Sequence, residues 1–78
     1  AQIAIGEDSR FAGQSIAASH IRHDMGVIVL AIKRGGQMIV GPSKDDIMQA
    51  GDFLIAMGDA SGLRKLEEEA IAKNRVVG

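Results

Sequence analysis

Gly26-Val27-Ile28-Val29-Leu30-Ala31-Ile32-Lys33-Arg34, Gly35-Gly36, Gln37-Met38-Ile39-Val40 and, after a loop holding Gly41 and Pro42, Gly51-Asp52-Phe53-Leu54-Ile55-Ala56-Met57-Gly58 carry three apolar runs separated by turn residues. The first run is rich in β-branched side chains, which suit a pleated and largely buried surface, and Lys33-Arg34 ends it. Gly35-Gly36 supplies the φ > 0 conformations of a two-residue hairpin, so residues 37–40 are expected to fold back antiparallel. Gly51-Asp52 turns the chain into the third run and Gly58 closes it. The block predicts a small antiparallel meander.

A strand and two helices surround that block. Gln2-Ile3-Ala4-Ile5 alternates polar and apolar and is stopped by Gly6-Glu7-Asp8-Ser9, which predicts a short first strand. Ser15 can cap one helix over residues 15–25, with an apolar stripe at Ala17, Ile21 and Met25 and with Gly26 at the position of a left-handed C-terminal cap. Ser61 is the expected N-cap of the last helix, in which Leu63, Leu66 and Ala70 share a face while Glu67-Glu68-Glu69 face water, partly paired with Arg64 and Lys65. Residues 74–78 are expected to form a flexible tail. The order is β-α-β-β-β-α, an α+β class with a mainly antiparallel sheet and two helices, all within one domain spanning residues 1–78.

Composition narrows what such a domain can do. The 78 residues are 46% hydrophobic with two Phe and no Tyr or Trp, so the core is aliphatic and no aromatic platform exists for stacking bases. A chain this short buries only about 60% of its unfolded surface, which makes a partner surface expected. Nine basic and ten acidic side chains leave a formal charge of −1, with no net attraction to phosphate backbones, so nucleic acid is not an expected partner. The absence of cysteine excludes a disulfide scaffold and a thiolate zinc site. No run approaches the roughly 20 apolar residues of a membrane span, nor is a secretory signal legible, and a soluble chain is expected. A start at Ala1 without Met points to a piece of a longer protein.

Several residues invite chemistry, and each also has a plainer reading. His20 and His23, at i, i+3, have a spacing that can chelate a transition metal, but no third ligand is evident and two solvated side chains explain them as well. Glu7-Asp8 and Asp45-Asp46 lack the spacing of a calcium loop, and turn chemistry with Ser43 or Asp45 as a cap accounts for the second pair. Gly35-Gly36 joins two strands, whereas a phosphate loop needs a strand-to-helix junction. No Ser-His-Asp order or buried acid pair is evident, so neither an enzyme nor a bound metal or cofactor is expected. Arg22, close to the end of the first helix, is well placed to interact with the helix dipole.

Phe11-Ala12-Gly13-Gln14-Ser15-Ile16, Ile21-Arg22, Gly26 to Arg34, Pro42 and Ala50-Gly51-Asp52-Phe53-Leu54-Ile55 together resemble the C-terminal subdomain of RCK (regulator of conductance of potassium) proteins, the TrkA-C domain, over about residues 2–70. The resemblance implies a cytosolic regulatory module that forms a homodimer, binds a small ligand at or near the dimer interface, and acts at the inner face of the membrane on a potassium channel or cation transporter. It further implies that Ile16, Arg22, Ile28, Val29 and Pro42 match the pocket of those relatives that respond to cyclic di-AMP. There Arg22 would grip a phosphate while the other four form apolar walls for the bases. The sequence departs from that subset at Ile28, where a hydrogen-bonding Asn is typical. The alternative is a purely structural dimerisation module without a ligand, which has no need of Arg22. In either case the second copy is expected to pack on the apolar face of the first helix, at Ile21, Met25 and residues 27–31.

Overall fold

In the computed structural model, which describes residues 1–71, the elements are β1 (Gln2–Ala4), α1 (Ile16–Ser19), α2 (Ile21–Met25), β2 (Ile28–Arg34), β3 (Gln37–Val40), β4 (Phe53–Met57) and α3 (Ala60–Ile71). The residues expected to form a tail lie outside the described range. The four strands make one antiparallel sheet in the order β1-β4-β2-β3, so the α+β reading stands. The meander does not. β4 ladders with the free edge of β2 instead of with β3, pairing Ile32 with Leu54 and Lys33 with Phe53. β2, which runs on through Lys33 and Arg34, is the strand apolar enough to be flanked on both sides, whereas β3 exposes Gln37, Met38 and Val40 as an edge strand does. Because β3 and β4 are both antiparallel to β2, residues 41–52 must carry the chain back along the sheet, which a tight turn cannot do.

The first helix is two helices. His20 takes the left-handed conformation (φ 57°, ψ 26°) and separates α1 from α2. Buried Ser19 explains the break: its hydroxyl donates to the Ile16 carbonyl at 2.6 Å, and its own carbonyl, which a continuous helix would offer to residue 23, accepts from Arg10 Nη1 at 3.1 Å. Ser15 is the N-cap as expected, its Oγ accepting from the Ala18 N–H, and Gly26 closes α2 at φ 66°. The stripe fails at Ala17, which is exposed, while Ile21 and Met25 are buried.

Helices α2 and α3 touch each other, and α3 also lies against β1. The core between these helices and the sheet holds Ile3, Phe11, Ile21, Met25, Val27, Ile32, Leu54, Leu66 and Ala70. Gly62 lets α3 approach so closely that a Cβ there would collide with the Met25 carbonyl. α3 begins one residue before Ser61, with the Leu63 N–H donating to the Asp59 carbonyl, since Asp at position 59 is as good a helix-starting residue as Ser. Glu69 pairs with Arg10 at 2.7 Å, and neither Arg64 nor Lys65 forms an ion pair among the described residues. Burial of Ile21, Met25, Val27 and Ala31 in the protomer's own core removes them from the surface expected to meet a second copy. Ile28 and Leu30 remain, each 43% exposed.

Candidate functional site

Backbone pairing between α1 and the loop after β3 builds a groove. The Ala17 N–H donates to the Lys44 carbonyl at 2.9 Å, the Ile16 N–H to the Asp46 carbonyl at 3.1 Å, and Ser15 bridges Ile47. On its other side the loop is tied to β2, where the Gly41 N–H donates to the Leu30 carbonyl at 2.9 Å. Ser43 and Asp46 shape the turn, Asp46 Oδ2 accepting from the Ser43 N–H and Ser43 Oγ from the Asp45 N–H, so of the two expected caps Ser43 serves and the Asp45 carboxylate accepts no hydrogen bond among the described residues. Between the broken helix, the start of β2 and this loop lies a groove of about 330 Å³.

All five residues singled out by the resemblance line this groove: Ile16 from α1, Arg22 from α2, Ile28 and Val29 from β2, and Pro42 from the loop. Ala17, His20, His23 and Lys44 line it too. The apolar floor is half-buried at Val29, which faces buried Ala56 across the ladder, and more open at Ile28, opposite Met57. Charge in the groove has one sign. Its lining contains Arg22 and Lys44 and no carboxylate, and neither cation has a hydrogen-bonded or ion-paired side chain among the described residues. Arg22 sits in the last turn of α2, as a residue that complements the helix dipole does, its carbonyl accepting the Gly26 N–H at 2.9 Å and its side chain unpaired among the described residues. Lys44 was legible in principle, as a base two residues beyond Pro42 in a loop that had to return to the helix.

His20 and His23 do not chelate from one helix, because the break falls at His20. Their ring centroids are 6.3 Å apart, and His23 Nδ1 lies 3.0 Å from Asp24 Oδ1, a contact that holds the Asp24 carboxyl below its ordinary range. No group of three or more His, Asp or Glu side chains suited to a metal occurs among the described residues.

Asp52 anchors the far end of the loop. It accepts from Arg34 Nε at 2.9 Å, from Arg34 Nη2 at 2.8 Å and from the Gln49 N–H at 2.9 Å, while Arg34 Nη2 also donates to the Ile47 carbonyl. Burial pushes the Asp52 carboxyl up, but the Arg34 and Gln49 hydrogen bonds and the Arg34 charge outweigh it and hold the group below the usual carboxylate range.

The model of the TrkA-C domain family matches residues 1–70. Ktr system potassium uptake protein C of Bacillus subtilis is 30% identical over 69 residues, which are 88% of this chain and 31% of that relative, so the chain spans about a third of the relative's length. Among solved structures, the RCK C domain of the potassium transport protein KtrA in complex with cyclic di-AMP superposes with a TM-score of 0.79 at 34% identity, covering 86% of this chain and 76% of that one. The RCK_C domain dimer of S. agalactiae BusR in complex with cyclic di-AMP gives 0.79 at 29% identity, covering 85% and 87%. BusR with its busAB-promotor DNA gives 0.78 over 85% of this chain and 32% of that one. This last neighbour is at odds with the expectation of no nucleic-acid partner. The charge and stacking argument behind that expectation concerns this domain's surface and does not extend to a longer protein that carries such a domain. None of the helices among the described residues is long and apolar enough to cross a membrane.

Proposed function

The chain belongs to the TrkA-C domain family, and from that premise we propose that it is a regulatory module that pairs with a second copy and binds cyclic di-AMP across the two grooves. One observation carries the reading: an apolar groove holds a guanidinium that is unpaired among the described residues, and the five residues matched to the family's nucleotide pocket all line it. Arg22 contacts a phosphate, and Ile16, Ile28, Val29 and Pro42 cover the bases. A groove of about 330 Å³ is at the small end of ligand sites, and two facing copies make a two-fold site that suits a two-fold ligand. With Ile28 in place of a polar side chain, the bases are held by apolar contact there. Ligand favours one relative orientation of the copies only by contacting it better than the other, and that bias acts on a potassium channel or cation transporter at the inner face of the membrane.

Calorimetric titration of the domain with cyclic di-AMP tests this. Arg22→Ala is expected to weaken binding at least tenfold, since a charge-assisted contact contributes about 1.5 to 3 kcal/mol, and to leave the dimer intact by sedimentation. A wild-type domain silent toward cyclic di-AMP, ATP, ADP and NAD(H) would overturn ligand binding and leave a dimerisation module.

A further inference from the structure

His20 is the one non-glycine residue with positive φ among the described residues, and it lines the groove. Left-handed backbone is uncommon for a side chain with a Cβ, histidine adopting it more readily than most, and Gly would fill this position without strain. The imidazole has no hydrogen-bond partner among the described residues, and it is exposed. Its charged neighbours are Arg22, His23 and Asp24 on α2, Lys44 in the loop across the groove, and Arg10, whose guanidinium holds the Ser19 carbonyl. The one carboxylate in this set, Asp24, is taken by His23. A proton on His20 therefore adds positive charge to a groove that has no carboxylate in its lining.

Resting on the reading that the groove takes a phosphate-bearing ligand, we infer that His20 is a second anion contact beside Arg22, and that the groove's affinity for a phosphodiester ligand rises between about pH 8 and about pH 5.5. A phosphodiester keeps its charge throughout that range, so the pH response belongs to the protein. Titrating the domain with cyclic di-AMP at about pH 8 and about pH 5.5 is expected to show binding about three- to fivefold tighter at the lower pH, the size of an exposed ion pair. His20→Gly keeps the backbone conformation and removes the ring; it is expected to abolish this pH response without lowering the Tm. His23→Ala is expected to retain it. A response that survives in His20→Gly, or disappears only in His23→Ala, overturns the inference. Binding that is lost in Arg22→Ala yet independent of pH in the wild type overturns the role of His20 alone, whereas a wild-type domain that binds at neither pH overturns this inference together with the proposed function.

Discussion

Asp52, at 1% exposure, is a buried charge that folding must compensate, and Arg34 does so through two parallel hydrogen bonds. Asp52→Asn keeps the shape but loses the charge, and is expected to cost about 1.5 to 3 kcal/mol in urea unfolding at neutral pH. The pH dependence follows from the depressed carboxyl. An unfolded Asp titrates near about 3.9, the folded one lower, so between those values the unfolded chain binds more protons and stability rises with pH. The contribution is full above about pH 5 and fades as pH falls through the folded-state pKa. The wild type should therefore lose more stability than Asp52→Asn between about pH 5 and about pH 2; parallel losses would mean that the Arg34 contact does not set the acid response. The Gly-Asp pair was legible as a turn, but its partner was not, because Arg34 is 18 residues away and meets it only once β4 lies beside β2.

At the scale of elements, the hairpin between β2 and β3 rests on one glycine. Gly35 has φ 57° and Gly36 is outside the left-handed region, the pattern of a type II′ turn. Gly35→Ala is expected to cost about 1 kcal/mol and Gly36→Ala to stay within about 0.5 kcal/mol, read from thermal melts. Equal losses would mean that both positions need positive φ. Strand positions, the Ser15 cap and the Gly26 stop were all legible, because each depends on a few neighbouring residues. The break at His20 was not, since Arg10 competes for the Ser19 carbonyl from outside the helix.

For the whole molecule, the proposed pairing of two copies falls on what the core leaves exposed. Ile28→Asp is expected to convert the dimer to a monomer in sedimentation while preserving the circular dichroism of the fold, because Ile28 is 43% exposed. Ile21→Ala, at a position 1% exposed, is expected instead to destabilise the protomer by about 2 to 5 kcal/mol. A monomeric wild type at high concentration would remove the pairing, and with it any site shared by two copies.

Alternation, glycine placement and capping residues were sufficient to specify the α+β class, the succession of strands, the hairpin and an apolar core, for these signals are local and repeat along the chain, whereas the family was legible only from the resemblance of whole motifs such as residues 11–16 and 50–55. Strand order, the split first helix, the Arg34–Asp52 pair and the addition of His20 and Lys44 to the groove were decided by tertiary structure. Those features depend on which edge of β2 accepts β4 and on how the loop of residues 41–52 returns past α1, and both are settled by competition among distant segments for the same backbone groups and the same buried surface.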